Sequence, residues 1–282
     1  MSTAALSVVV ATRDRPAALE RCLVALSWQT AHELEVVVVD DASARTAAVV
    51  EAITRAGLDT RTRVVEGAGR GPAAARNLGA SSAHGAVVLF TDDDCVPGPR
   101  WAQQLAAACA GGGAAAGTTV ADPCSGRAAA ASQLITHTLQ IASLDPACGL
   151  LGFAPTCNLA CHAGVVRAVP FDESFPLAAG EDRDWCDRIA AAGVELRHVP
   201  QAIVEHRPQL GPAGLVRQGV RYGRGAVRFR AAGEGRRLAG RTFYAQLARD
   251  AARAGPRVAS LVVLAQAAGA AGAALEAMPS RG

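Results

Sequence analysis

Residues 86–94 read Ala-Val-Val-Leu-Phe-Thr-Asp-Asp-Asp. The large apolar residues at 87–90 are typical of a strand that is buried on both faces of a sheet. Three carboxylates follow at Asp92, Asp93 and Asp94. Adjacent carboxylates raise one another's pKa, so they require a nearby cation or proton. The stretch predicts a buried strand that ends in a functional acidic cluster, with a solvated acidic loop as the alternative.

Residues 35–41, Glu-Val-Val-Val-Val-Asp-Asp, repeat this pattern. Shorter apolar runs predict strands at 6–11 and 63–66, and helical patterns lie between the strands at 16–26, 46–56 and 72–82. Strands that alternate with helices predict an α/β fold with a mostly parallel sheet covered on both faces. Ligands bind at the carboxyl ends of such strands, so both acidic clusters are expected on one rim.

The second half of the chain is less regular. Strands are predicted at 114–120, 158–162 and 195–204, and helices at 181–192, 211–232, 242–254 and 258–275. The sequence therefore predicts an α/β domain at 1–210 and a helical extension at 211–282. The last helix contains 18 uncharged residues rich in Ala and Gly. Because a bilayer span needs about 20 predominantly apolar residues, we expect this helix to pack on the domain or to lie at a membrane interface.

The charge is unevenly distributed along the 282 residues. Residues 1–206 hold 15 Arg and 22 acidic residues, a net charge of −7, whereas residues 207–257 hold 12 Arg and two acidic residues, a net charge of +10. Half of the chain is apolar, which is enough for one large core. A basic helical segment can contact phosphates, an anionic membrane surface or an acidic acceptor.

Eight cysteines are present, and none of them forms a CxxC pair or a Cys/His group with the usual zinc spacing. This pattern predicts buried free thiols in a reducing cytoplasm. The first apolar run, at 6–11, is short and leads directly into charged residues, which does not fit a signal peptide. We therefore expect a cytoplasmic protein.

Five segments resemble, in order and spacing, the inverting family 2 glycosyltransferases. They are Ser7-Val-Val-Val-Ala-Thr-Arg-Asp-Arg-Pro16, Glu35-Val-Val-Val-Val-Asp-Asp-Ala-Ser43, Gly71-Pro-Ala-Ala-Ala-Arg-Asn-Leu-Gly79, Val87-Val-Leu-Phe-Thr-Asp-Asp-Asp94 and Gly180-Glu-Asp-Arg-Asp-Trp185. The resemblance implies a Rossmann-like GT-A fold, a mostly parallel central sheet flanked by helices. It also implies transfer of a sugar from a nucleoside-diphosphate donor to an acceptor hydroxyl, with Mg²⁺ or Mn²⁺ as cofactor.

The resemblance also implies which residues bind the donor. Ala11 and Arg13 would line the base pocket. Asp41 would accept a hydrogen bond from the base, with Asp40 supporting it. Arg76 would face the base or the diphosphate as a fixed cation.

The acidic run would hold the ribose and the metal in the same family pattern. Asp93 would bind the ribose, and Asp94 would coordinate the cation with help from Asp92. Carboxylate oxygens are the ligands that hard divalent cations prefer. His206 is a candidate additional ligand, although a lone His at a strand end is equally often a polar residue with an ordinary hydrogen-bond partner.

Glu181 and Asp182 resemble the acidic pair on the acceptor side of the family's site. Asp182 would be the general base that removes the proton of the acceptor hydroxyl. The alternative is that both are helix N-terminal acids that favour the helix dipole.

Arg217, Arg221, Arg224 and Arg228 recur at helical spacing and make one face of the predicted helix basic. A peripheral membrane contact is one interpretation, with a small-molecule, lipid-linked or glycan acceptor. A solvated face, or pairing with acidic residues of this chain, is the other. Nucleic-acid binding is not expected, because no recognised binding module accompanies the charge.

Other functions remain open on the sequence alone. A nucleotidyltransferase would share the fold and the metal, but the turn Thr12-Arg-Asp-Arg-Pro16 lacks the glycine such enzymes usually carry there. A non-catalytic nucleotide-binding scaffold would predict loss of Asp94 or Asp182, and both are present. A processive polymerase of this family would carry a Gln-x-x-Arg-Trp motif and several membrane spans, which this sequence lacks, so we expect single transfers.

Overall fold

The computed structural model describes residues 6–31, 33–175, 179–233 and 240–278. Within them the strands are β1 (Leu6–Thr12), β2 (Leu34–Asp40), β3 (Thr62–Glu66), β4 (Val87–Asp92), β5 (Cys95–Pro97), β6 (Ala114–Ala121), β7 (Leu144–Asp145), β8 (Leu150–Leu151), β9 (Leu159–His162) and β10 (Leu196–His206). The α-helices are α1 (Pro16–Ser27), α2 (Thr46–Arg55), α3 (Pro72–Ser82), α4 (Trp101–Ala108), α5 (Gly126–Ala142), α6 (Ala163–Ala168), α7 (Glu181–Ala191), α8 (Pro212–Ala231), α9 (Arg241–Arg253) and α10 (Pro256–Ala277).

The strands form one sheet in the order β3-β2-β1-β4-β9-β6-β10-β8-β7, with β5 also paired to β10. The pairs β1–β2, β1–β4, β2–β3 and β6–β10 are parallel, and β9 runs antiparallel between β4 and β6. The predicted mostly parallel sheet flanked by helices is confirmed. In register, Ala11 of β1 pairs with Asp92 and Thr12 pairs with Asp40, so the two acidic clusters do share one rim.

The central strands are buried on both faces, as their unbroken apolar runs predict. Side chains alternate along a strand, so Val8 and Val10 pack with α1, α2 and α4, whereas Val9 packs on the other face with α3 and α7. This two-sided burial holds the strand ends rigidly, and the acidic clusters follow directly from those ends.

Three helices in the middle of the chain, α4, α5 and α6, were not predicted. Helix α4 follows β5, and α5 lies against β6. Helix α5 is anchored by buried amides, because Gln133 donates to the carbonyl of Thr119 at 2.9 Å and Gln140 to that of Gly117 at 2.9 Å. The predicted region 195–204 forms a single strand, β10, with a register irregularity between His198 and Ile203.

The C-terminal helices pack on the sheet domain through α5. Helices α8 and α10 approach closely, because a Cβ on Gly223 would lie 1.9 Å from the carbonyl oxygen of Gly269. Among the described helices, α10 is long and apolar enough to cross a membrane by length and composition. The division at residue 210 stays a prediction, and residues 234–239 of the basic segment lie outside the described residues.

Candidate active site

The acidic run begins at the last residue of β4, Asp92, and continues into a turn at Asp93 and Asp94. The side chain of Asp93 is fully buried, whereas those of Asp92 and Asp94 are 32% and 11% exposed. Asp93 accepts a hydrogen bond from the Thr12 hydroxyl at 2.7 Å. Burial raises the pKa of Asp93 to about 7, even though Arg15 opposes the shift.

Arg15 joins the two C-terminal carboxylates of the run. Its guanidinium lies 2.6 Å from Asp93 Oδ1 and 2.9 Å from Asp94 Oδ2. Burial disfavours the charge on Arg15, but Asp93 and Asp94 outweigh it and raise its pKa. Arg15 was not among the predicted site residues, and its place at the turn after β1, facing the rim, is the signal that could have found it. Asp93 is fully buried and contacts both Arg15 and Thr12, so its role towards a ribose stays a prediction.

His206 ends β10 and lies beside Asp94, with 3.4 Å between His206 Nε2 and Asp94 Oδ1. Its Nδ1 lies 3.0 Å from Gln133 Oε1. Because the Gln133 amide nitrogen donates to Thr119, its oxygen is turned towards the ring, so Nδ1 donates and Nε2 faces Asp94. Burial lowers the pKa of His206, but the hydrogen bond and charge of Asp94 outweigh it and raise the pKa to about 9.

These groups fit a hard divalent cation. Ligand atoms of Asp94, Cys95 and His206 lie within 4.8 Å of one another. A hydrogen bond with Cys157 and burial raise the pKa of Cys95 well above its usual value, so Cys95 keeps its proton and is a poor ligand. The remaining carboxylate and imidazole suit Mn²⁺ or Mg²⁺. The second hydrogen bond of the ring, to Gln133, is the outer contact that metal-binding histidines usually make.

Arg76 connects the acidic run to the second predicted acidic pair. Its guanidinium donates to Glu181 Oε1 at 2.9 Å and to Asp92 Oδ1 at 3.2 Å. Burial opposes the charge on Arg76, but Asp92 and Glu181 outweigh it and raise its pKa. The cation predicted to face the base or the diphosphate therefore lies between the two carboxylate clusters.

Glu181 and Asp182 begin α7, immediately after Gly180, whose φ of 98° favours glycine. Burial and then the charge of Glu181 raise the pKa of Asp182 to about 7. Asp182 also accepts a hydrogen bond from the amide of Arg183 at 2.8 Å, which agrees with the helix-terminus interpretation, and its role as general base stays a prediction.

Five of the predicted residues line one cavity of about 210 Å³: Arg76, Asp92, Glu181, Asp182 and His206. They come from α3, β4, α7 and β10, and they were predicted from separate motifs. The cavity therefore brings two of the candidate metal ligands, Asp92 and His206, together with the candidate general base, whereas Asp94 is not among its lining residues.

The residues predicted for the base pocket lie on the neighbouring strand ends. Asp41 accepts hydrogen bonds from the amides of Gly69 at 2.8 Å and Gly71 at 3.0 Å, and so fixes the glycine loop. Asp40 accepts one from the amide of Ser43 at 3.0 Å. Arg13 follows Ala11 at the end of β1 and lies against Gly69. Their roles towards a base stay predictions.

Residues 7–163 match the family described as glycosyl transferase family 2. The chain belongs to this family. Membership of family 2 argues against the alternative that the protein is a nucleotidyltransferase, which the fold alone allowed. The match covers both acidic clusters of the rim, the glycine loop and Arg76, whereas Glu181, Asp182 and His206 lie beyond it.

Curated relatives of this family 2 protein are glycosyltransferases. The chain is 29% identical to the pre-mycofactocin glycosyltransferase of Mycobacterium tuberculosis over 215 residues, 72% of this chain and 43% of that protein. It is 27% identical to glycosyltransferase AglE of Haloferax volcanii over 228 residues, 78% of this chain and 72% of that protein. The chain thus spans less than half the length of the mycobacterial relative.

Solved structures show the GT-A fold of this family 2 protein. A mannosyltransferase from Pyrobaculum calidifontis, solved with GDP-Man and Mn²⁺, superimposes with a TM-score of 0.59 at 22% identity, over 98% of this chain and 76% of that one. TarS of Staphylococcus aureus superimposes with a TM-score of 0.56 at 16% identity, over 95% of this chain and 54% of that one.

Proposed function

We propose that this protein transfers a sugar from a nucleoside-diphosphate donor to an acceptor hydroxyl with inversion at the anomeric carbon, in single transfers. The observation that carries the proposal is the shared cavity, in which Asp182 stands together with Arg76, Asp92 and His206. A general base, a fixed cation and candidate metal ligands are the groups that such a transfer needs in one place.

The donor would bind across the rim formed by β1, β2 and β4. Ala11, Arg13, Asp40 and Asp41 would surround the base, and Asp93 would reach the ribose once Arg15 moves away. The described contacts of Asp41 with the glycine loop support this placement, because they hold the loop beside the predicted base pocket.

Asp94 and His206, with Asp92, would hold Mg²⁺ or Mn²⁺. The cation would neutralise the charge that develops on the nucleoside-diphosphate leaving group. Arg76 would add a fixed positive charge beside Asp92 on the same side. The Mn²⁺ and GDP-Man bound to the solved mannosyltransferase support a metal and a nucleotide-sugar donor here as well.

Asp182 would accept the proton of the acceptor hydroxyl while that oxygen attacks the anomeric carbon opposite the leaving group. This geometry inverts the configuration, because attack and departure occur on opposite faces. A pKa of about 7 suits a general base near neutral pH. Glu181, held by Arg76, would raise the proton affinity of Asp182 through its charge.

The membrane contact through the basic face of α8 stays a proposal. Arg224 and Arg228 each pair with Glu276 of α10 at 2.6 Å, so two of the four arginines contact an acid of the chain itself. The length and apolar composition of α10, with Val263 and Leu275 exposed, support contact with lipid. A cytoplasmic location is supported by the eight free thiols.

The proposal is tested by titrating the protein with UDP, dTDP and GDP by calorimetry, with and without Mn²⁺. One nucleotide is expected to bind more tightly when Mn²⁺ is present. In Asp94→Asn, Mn²⁺ is expected to give no such increase in affinity. Glu51→Gln, a change at an exposed helix acid, is the matched control and should leave binding unchanged. Absence of binding to all three nucleotides with Mn²⁺ present would favour the non-catalytic scaffold.

Turnover then tests the stereochemistry. The sugar nucleotide that matches the tightest nucleotide is supplied, and the anomeric configuration of the product is read by NMR. The inverted configuration is expected, and retention would contradict the assignment of Asp182 as base.

A further inference from the structure

The cavity beside Asp182 is mainly apolar away from its carboxylates. Its far side is formed by Ile135 and Leu139 of α5, by Phe153, and by Ala226 and Phe229 of α8. Phe153 and Phe229 are buried, so their rings form fixed surfaces rather than mobile surface groups. A pocket with this composition favours an apolar ligand group, because such a group gains by leaving water.

A second cavity, of about 310 Å³, adjoins the first one. Both are lined by Ile135, Leu139, Arg183, Tyr222 and Ala226. The second cavity extends between α8, α9 and α10, where Leu215, Phe243 and Ala265 contribute further apolar surface. The two cavities together form a slot, which we call the α5–α8 slot, that leads from Asp182 towards α10.

Several polar groups along the slot are engaged within the chain. The hydroxyl of Ser132 donates to Gln218 at 2.8 Å, and that of Thr136 donates to the carbonyl of Ser132 at 3.3 Å. The guanidinium of Arg183 lies 5.2 Å from the ring centroid of Phe229, within the range of a cation–π contact. The lining of both cavities is mostly apolar, so the slot suits an apolar group better than the hydroxyls of a second sugar.

We infer that the acceptor carries an apolar group close to its reactive hydroxyl, and that the α5–α8 slot binds this group while Asp182 faces the hydroxyl. The inference rests on the proposed function for the identity of the ligand as acceptor. An alkyl or prenyl chain and an aromatic ring share this chemistry. The length of the slot favours an elongated chain, since it continues past the first cavity.

The test uses alkyl and aryl glucosides as probes of the slot, by calorimetry on the full chain at concentrations below micelle formation. Octyl β-glucoside is expected to bind at least tenfold more tightly than methyl β-glucoside. Phenyl β-glucoside distinguishes the two sources: binding that matches octyl β-glucoside indicates an aromatic acceptor, and weaker binding indicates a chain. Equal affinity for the octyl and methyl compounds would overturn the inference.

Variants locate the binding. Ala226→Phe places a ring where the two cavities meet and is expected to weaken octyl binding at least tenfold. Ile135→Ala, which removes a contact without adding bulk, is expected to weaken octyl binding severalfold. It keeps the test valid if Ala226→Phe fails to fold. Val263→Asn, on the exposed face of α10, is the control for binding to the outer apolar surface and should change nothing. Unchanged octyl binding in both slot variants, or its loss in Val263→Asn, would overturn the inference.

Nucleotide titrations of the same variants separate this inference from the proposed function. If the protein binds nucleotide but does not prefer octyl to methyl β-glucoside, the apolar slot is refuted and the proposed function is not. Octyl binding in the slot without any nucleotide binding refutes the transferase proposal and leaves the apolar site.

Discussion

Arg76 on α3 and Glu181 on α7 form a buried ion pair of 2.9 Å although they lie 105 positions apart in the chain. Their side chains are 8% and 4% exposed. The pair joins the helix after the glycine loop to the helix that carries Asp182, and Arg76 contacts Asp92 as well. The end of β4 and the start of α7 are therefore joined through one guanidinium.

Replacing Arg76 with Met is expected to destabilise the protein by about 3–5 kcal/mol, because it leaves Glu181 charged and buried without its partner. The free energy of unfolding by urea measures this change. Adding Glu181→Gln to Arg76→Met should recover part of the loss, since it removes the unpaired charge. Arg55→Met, which breaks an exposed pair with Glu20 at 2.8 Å, is the control and should cost at most about 1 kcal/mol. Equal losses in the Arg76 and Arg55 variants would contradict the buried pair.

Gln133→Met is expected to weaken Mn²⁺ binding about 10–100-fold, the usual effect of removing an outer hydrogen bond of a metal ligand. The reason is that His206 loses the acceptor that fixes its Nδ1 proton and ring orientation. Gln140→Met is a closely matched control, because Gln140 lies on the same helix and donates to a carbonyl of the same strand without contacting His206. Mn²⁺ titration by calorimetry compares the two. Similar losses in both variants would show a general effect on α5 packing.

The rim could be predicted from the sequence because its determinants are local. The apolar runs fix the strands, and the carboxylates follow directly, so Asp41 and Asp92 are placed by counting residues along the chain. Helix α3 was predicted with the bounds that the structure shows, since Pro72 starts it and the pattern ends at Ser82. A strong local signal was enough in each case.

The contacts that complete the site could not be predicted in this way. Helix α5 is rich in Ala, and its large apolar residues begin only at Leu134, so neither the helix nor the place of Gln133 was predicted. The Arg15 contacts with Asp93 and Asp94 also depend on how β1 and β4 pair. The apolar slot arises only when α5 and α8 meet, and neither segment indicates it alone.

Asp182→Asn is expected to lower kcat by about 10²–10⁴-fold, the usual contribution of a general base. In the wild type, kcat/KM at saturating donor and metal should rise with pH and level off above about 7, because the base acts without its proton. The rise should vanish in Asp182→Asn. Rates at matched pH values, measured as release of nucleoside diphosphate, check both expectations. A wild-type pH profile in the variant would contradict the assignment.

The same pKa shift has a consequence for stability. The folded-state pKa of Asp182 is raised from 3.8 to about 7, so the folded protein holds this proton more tightly than the unfolded chain. The resulting stabilisation is present below about pH 4 and is lost as pH rises to about 7. Asp182→Asn should therefore gain stability relative to the wild type across this window. Urea unfolding at several pH values measures the difference in the free energy of unfolding between the two proteins. Asp93, whose pKa is also raised to about 7, is present in both, so its contribution cancels in this difference.

Gly223→Ala is expected to separate α10 from α8, because the new Cβ would lie 1.9 Å from the carbonyl oxygen of Gly269, which belongs to the backbone and cannot rotate away. Overpacking of this kind costs about 1–3 kcal/mol. Gly214→Ala, on the same helix, is the control, since its Cβ would meet only the tip of the Leu210 side chain at 2.9 Å. Hydrogen exchange of the α10 amides is the measurement, and faster exchange is expected only in Gly223→Ala. Because α10 lines the far end of the slot, the same variant should also weaken octyl β-glucoside binding. Unchanged hydrogen exchange in α10 would show that the packing of the two helices does not depend on this contact.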